Sequence, residues 1–317
     1  MESMFVFRLY GLWLFPVLLV VSVSRGDDAY QSLPSKSTEP NFRVLSFAGG
    51  PTPEDVLRLC ELLRRDLGQA WLGKQEVPVW QPRCEVQVHQ NRQSYIRAVG
   101  LVGEQTLGSS FIQLQDGVVI TRRLDLLIDS DSTLPALPHE LTHVILADCF
   151  GGRQPPHWFD EGAAMLADTL HKQSLHARDC QKALHSGTAL PITQLLRLEQ
   201  FTSQDQMAQF YGQSASLLRF FCQRGGIEKV TRFAIDSLKT DYEQSLQKHY
   251  GISSEQELER LWKREAMNQG KIPEPPPILT VSSTSRQAIK TIAALLRLVS
   301  CDFILRFPDF SFAERCI

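Results

Sequence analysis

Pro138-His139-Glu140-Leu141-Thr142-His143-Val144-Ile145-Leu146-Ala147 is the stretch on which the reading of this chain turns. It contains H-E-x-x-H. On a helix, side chains four residues apart share a face, with Cβ atoms about 5–6 Å apart. His139 and His143 can therefore each offer a nitrogen to one ion. Imidazole suits zinc, and a catalytic zinc keeps three protein ligands and an open position for water. Glu140 is rotated away from the two histidines, so it reaches the water rather than the metal, where a carboxylate serves as general base. A chance H-E-x-x-H is expected in about one chain in a hundred of this length and composition. Val144, Ile145 and Leu146 make the helix apolar enough to be buried, and a buried histidine pair needs partners.

The third ligand sets the subtype. One arrangement puts it six residues after His143, behind a glycine that lets the chain bend back. Here those positions hold Cys149 and Leu146. The helix is therefore predicted to run on, with Cys149 pointing elsewhere, until Gly151-Gly152 stop it. The other arrangement takes a Glu from a following helix. His157-Trp158-Phe159-Asp160-Glu161-Gly162-Ala163-Ala164 supplies Glu161 after Pro155-Pro156, and its small residues are expected to let this helix approach the first closely.

H-E-x-x-H followed by W-x-x-E-G-x-A resembles the gluzincin zinc metallopeptidases, in particular the aminopeptidase-N-like and related peptidase MA-like groups. The resemblance covers residues 138–164. It implies zinc held by His139, His143 and Glu161, with Glu140 as general base. It also implies an α+β, zincin-like fold: a small twisted mixed sheet packed on the H-E-x-x-H helix, then a mainly helical C-terminal part. In such folds an edge strand lines the cleft and pairs with an extended peptide; residues 108–122 are the candidate, with an ordinary hairpin as the alternative. Tyr211, in Phe210-Tyr211-Gly212-Gln213-Ser214-Ala215-Ser216-Leu217-Leu218, is similar in setting to the tyrosine by which aminopeptidase-N-like enzymes steady an oxyanion. A packed tyrosine with one satisfied hydroxyl is the alternative. The sequence departs from the pattern in three places. Pro138 directly precedes the first histidine and must sit in the first helical turn. Met165 stands where thermolysin-like members carry an acidic residue four positions after their Glu ligand. The Gly-x-Met-Glu-Asn motif that holds a substrate amino terminus is missing.

Composition narrows the function class. Lys plus Arg number 33 against 35 acidic residues, a net charge of −2, which gives no reason to propose a nucleic acid or an acidic membrane as partner. A hydrophobic fraction of 43% permits an ordinary core. Arg8 precedes an uncharged run from Leu9 to Val23, too short for a bilayer span of about 20 residues. With Ser24 and Gly26 ahead of Asp27, residues 1–26 read as a signal peptide of an exported, periplasmic or extracellular protein, or as an uncleaved membrane tether. Export would permit disulfides. The seven cysteines, Cys60, Cys84, Cys149, Cys180, Cys222, Cys301 and Cys316, are odd in number and show no C-x-x-C.

Along the chain, residues 27–40 are a polar lead-in and 41–270 the organised domain. Strands are predicted at Phe42–Phe47 and Cys84–His89, and a hairpin at 110–121 around Asp116-Gly117, with a further strand from Leu124 to Ile128. Helices are predicted from Thr52 or Pro53, at Gln93–Val99, Arg178–Leu184, Ile192–Leu198, Gln206–Cys222, Ile227–Leu238, Leu246–Tyr250 and Gln256–Met267. Residues 271–317 are a Pro-rich linker and a tail, with Ile289–Val299 as one amphipathic helix that could touch a membrane. The function expected is a zinc peptidase acting on peptide or protein substrates. The alternative is a peptide-binding module that kept the fold and lost turnover.

Overall fold

The computed structural model describes residues 41–47, 50–73, 79–130 and 133–268. The predicted signal peptide, lead-in, linker and tail, and Cys301 and Cys316, lie outside the described residues. Strands are β1 (Phe42–Leu45), β2 (Cys84–His89), β3 (Gly108–Gln115) and β4 (Val118–Leu127). They form one sheet in the order β1-β2-β4-β3, with β1, β2 and β4 parallel and β3 antiparallel to β4 at the edge. The expected small mixed sheet followed by a mostly helical part is what the chain forms.

Parallel strands need a crossover, and α1 (Pro53–Leu72) supplies the one between β1 and β2. Its Thr52 cap accepts from Asp55 N, and Pro53 stands at the first helical position, where its missing N–H is harmless. Val56, Leu59, Cys60, Leu63 and Leu67 are buried against the sheet, as their spacing predicts. The short α2 (Arg92–Val99) and a 3-10 turn (Leu101–Glu104) lead into β3.

Between β3 and β4, Asp116 (φ 50°) and Gly117 (φ 81°) make the two-residue turn that Asp-Gly favours. The predicted break before Leu124 is not there: β4 is one continuous strand through Leu127. Arg122 is buried in it, donates to Pro82 O at 3.0 Å, pairs with Asp148 and lies over the Trp80 ring. Arg123 pairs with Asp125 at 2.7 Å. Buried charge is tolerated in the strand because each guanidinium has partners.

Among the described residues eight further helices follow: α3 (Leu137–Leu146), α4 (His157–Ala167), α5 (Leu170–Ser186), α6 (Ile192–Leu195), α7 (Gln204–Gln223), α8 (Gly226–Ser237), α9 (Tyr242–Tyr250) and α10 (Glu255–Asn268). Trp158, Phe159, Phe210, Phe221, Phe233 and Trp262 fill the core between them. Ser254 Oγ accepts from Glu257 N while Glu257 accepts from Ser253 N, so α10 begins with a reciprocal cap.

Three expectations are corrected here. Helix α3 does not run to Gly151-Gly152; it stops at Leu146, and tight turns follow, with Asp148 N bonded to Ile145 O and Cys149 N to Leu146 O. Helix α5 is far longer than Arg178–Leu184, because its first half is anchored by a polar residue: buried Gln173 bonds Leu166 O, Asp168 O and Arg219. Gly162 serves α7 rather than α3, since a Cβ there would stand 2.9 Å from Ser214 O.

Of the five described cysteines, Cys60, Cys84, Cys180 and Cys222 are buried free thiols. Burial pushes the Cys180 thiol up to about 11 and the Cys222 thiol up to about 12. They behave as small apolar side chains. No described helix is long and apolar enough to cross a membrane.

Candidate metal centre

Helix α3 begins so that Pro138 falls in its first turn, where no backbone bond is lost. His139 and His143 then stand one above the other, with ring centroids 5.1 Å apart. Helix α4 packs on α3 and brings Glu161 to them. The ligand atoms of His139, His143 and Glu161 lie within 4.8 Å of one another, so this group can hold a metal ion. Cys149 is not part of it; its thiol faces Ile145 O instead.

The histidines are oriented from behind. His139 Nδ1 donates to Asp168 Oδ2 at 3.1 Å, and His143 Nδ1 lies 3.0 Å from Asp160 Oδ1. His139 thereby turns Nε2 to Glu161, whose Oε2 lies 3.8 Å away. A carboxylate behind a ligating imidazole is a recurrent arrangement at metal sites, where it fixes the tautomer and raises ligand basicity. Asp168 also accepts from Lys172 Nζ at 3.3 Å. His157 Nδ1 donates to Leu198 O at 2.8 Å, which sets its Nε2 3.7 Å from Glu161 Oε1.

Electrostatics at the cluster favour positive charge. Burial opposes a charge on His139, yet the carboxylates of Asp168, Glu140 and Glu161 outweigh it and hold its pKa at about 9. Burial likewise opposes the charge on His143, and Asp160 and Glu161 overcome it, so its pKa is also raised. Burial works against the charge on Glu161 and on Asp168 as well, but the surrounding histidines, with Lys172 for Asp168, hold both carboxyl groups below their usual range. Four buried carboxylates around two imidazoles thus attract protons, and a dication answers the same demand.

Glu140 lies beside this group, buried, and its Oε2 has no hydrogen-bond partner among the described residues. A buried carboxylate oxygen left without a donor is costly unless something it serves comes to it. The start of β3 makes room for it. A Cβ on Gly108 would sit 2.7 Å from Glu140 Cγ and 2.6 Å from the Ala136 side chain, so only glycine fits there.

Glu140, Glu161 and His139 open into a cleft of about 360 Å³ that Gly108, Tyr211 and His176 also line. The structure therefore brings all five predicted site residues to one place: His139, His143 and Glu161 as a cluster, Glu140 beside them, and Tyr211 on the same cleft. Sequence reasoning missed Asp160, Asp168, Lys172 and His176. Two had a readable signal. Asp160 adjoins Glu161 in the motif. Asp168 lies seven residues after Glu161, two helical turns, and so on the same face. Met165 at four positions on is indeed not acidic, but it lines the cleft, and Asp168 takes the position behind His139.

No protein-family model matches the chain, and no curated protein is significantly similar to it.

Proposed function

We propose that this chain is a zinc-dependent peptidase of the gluzincin type, with a zincin-like domain. The observation that carries the reading is the convergence of His139, His143 and Glu161, each histidine backed by a carboxylate, beside a buried Glu140 with an unspent oxygen. Two imidazoles and one carboxylate are a donor set that suits zinc and leaves a position open. Bound there, zinc would polarise the scissile carbonyl and make a neighbouring water more acidic.

The chain's own residues do the rest. Asp168 and Asp160 back the two rings at Nδ1, which fixes the imidazoles that would hold the ion. Glu140 accepts the proton of the attacking water and passes it to the departing amine; general-base catalysis of this kind contributes about 10²–10⁴-fold. Tyr211 donates its hydroxyl to the oxyanion as the carbonyl becomes tetrahedral, a contribution of about 10²–10³-fold for one such donor. The substrate is an extended peptide lying along β3, which is the sheet's edge and borders the cleft at Gly108. Backbone pairing at an edge strand holds a peptide with little demand on its sequence. The leader-like run from Leu9 to Val23 supports action outside the cytosol.

The test is metal analysis of the purified protein together with digestion of a peptide library, on the parent and on Glu140→Gln. The expected result is about one zinc per chain in both, and cleavage by the parent alone. An active Glu140→Gln variant, or a folded protein without zinc, refutes the reading.

A further inference from the structure

Asp168 closes α4. Its backbone is extended (φ −63°, ψ 165°), and Thr169 caps α5 directly after it. The two helices therefore meet at the residue whose carboxylate backs His139. The last carbonyls of a helix have no partner within it and need one from outside. Gln173, at the start of α5, supplies it: its Nε2 donates to Leu166 O at 3.0 Å and to Asp168 O at 2.9 Å. One buried side-chain amide thus grips the chain on both sides of Ala167.

The amide has one workable orientation. Backbone carbonyls accept and never donate, and a guanidinium donates and never accepts. Arg219 Nη2 donates to Gln173 Oε1 at 2.9 Å, so the oxygen faces α7 and the NH₂ faces the junction. Arg219 is buried, its Nε has no hydrogen-bond partner, and it makes no ion pair among the described residues. A buried guanidinium without a carboxylate is costly. What this one does is hold the Gln173 amide. Arg219 also stands about two turns beyond Tyr211 on α7, so the same bond ties the helix that carries Tyr211 to the base of Asp168.

We propose that Gln173 and Arg219 are positioning residues of the metal centre: through the Asp168 backbone they set where its carboxylate meets His139 Nδ1, and so how tightly the ion is held. This rests on the metal-binding half of the peptidase reading. Asp168 reaches His139 at 3.1 Å and Lys172 at 3.3 Å from a single backbone position. A hydrogen bond weakens steeply as its angle drifts, so freeing residues 166–168 costs the His139 contact directly. Neither Gln173 nor Arg219 lines the cleft, and both act through Asp168. An anchor that only joined α5 to α4 would set stability and leave the ion's affinity alone.

The experiment is a double-mutant cycle on zinc affinity. Affinity is read by chelator competition well below the melting temperature, where a loss of stability alone leaves it unchanged. Gln173→Met keeps the volume and removes the bonds to Leu166 O, Asp168 O and Arg219. The expected result is about 10-fold weaker zinc binding, the low end of what loss of a supporting group costs. In the Asp168→Ala protein, which has no carboxylate left to position, the same change should cost less than about 2-fold. Arg219→Met leaves Gln173 in place and covers a Gln173 variant that does not fold; it should also weaken zinc binding. Arg219→Lys, which keeps a donor, should recover part of that loss. Parental affinity in either folded Met variant overturns the proposal. So does an equal loss with and without the Asp168 carboxylate, or an Arg219→Lys protein no better than Arg219→Met. If the parent itself binds no zinc, the metal reading falls and the proposal with it. If the parent binds zinc and cuts no peptide, the peptidase reading falls and the cycle still decides the role of Gln173 and Arg219.

Discussion

Replacing Asp168 by Asn isolates what the carboxylate behind His139 does. Asp168 is almost fully buried, with one oxygen 3.1 Å from His139 Nδ1 and the other 3.3 Å from Lys172 Nζ. Asn has the same shape. It can still accept from His139 Nδ1–H through its carbonyl oxygen, but its NH₂ then faces the Lys172 ammonium, donor against donor. The negative charge that makes the imidazole a stronger ligand is gone. Loss of such a supporting group costs about 10–100-fold in metal affinity, or about 1.4–2.7 kcal/mol. Lys172 is half-buried and can swing to water, so its loss of a partner adds little. Asp168→Ala should be worse than Asp168→Asn, because it also frees the ring to turn and leaves a gap. The assay is zinc competition against a chelator of known affinity, with the melting temperature measured with and without metal. The expected order of zinc affinity is parent, then Asn, then Ala, and the metal-free proteins should melt in the same order, since Asp168 is already paired with His139 and Lys172 there. An Asn variant with parental affinity, or an Ala variant that binds more tightly than Asn, would refute the argument that Asp168 orients and charges the ligand.

Two further outcomes follow from the same geometry. Tyr211→Phe should lower kcat about 10²–10³-fold with little change in KM, since the hydroxyl acts as charge develops; steady-state kinetics on any capped peptide the parent cuts decides it, and a parental kcat removes Tyr211 from the chemistry. Gly162→Ala should destabilise the fold. Elsewhere in a helix this change gains about 1 kcal/mol, but here the new Cβ would meet Ser214 O at 2.9 Å, and overpacking costs about 1–3 kcal/mol; a rise in the urea midpoint would show that α4 and α7 are not held this close.

What the sequence determined by itself is the local part of the site. His139, Glu140 and His143 lie within five residues, and helical geometry alone puts the histidines on one face and the glutamate to the side. Glu161 was legible because its own segment carries a helix start and small neighbours. The Asp116-Gly117 turn and the buried faces of α1 and α10 were legible for the same reason: their signals sit within a few residues of what they specify. Tertiary structure decided everything that depends on which segments meet. Helix α5 could not be traced from apolar periodicity, because buried Gln173 anchors it through hydrogen bonds that reach α4 and Arg219. The strand β4 ran through two arginines because Pro82, Asp148 and Asp125, distant or near in sequence, satisfied them. Gly108, Gly162 and Gly212 look alike in the sequence, and only the packing shows that each marks a different close approach: to Glu140, to α7 and to α5. Likewise an aspartate or a histidine carries no sign of its role until a neighbour is placed against it. Asp168 came to back His139 and His176 to line the cleft only when α3, α4, α5 and α7 closed on one another, because the energy of a buried polar group is set by the partners that the fold brings to it.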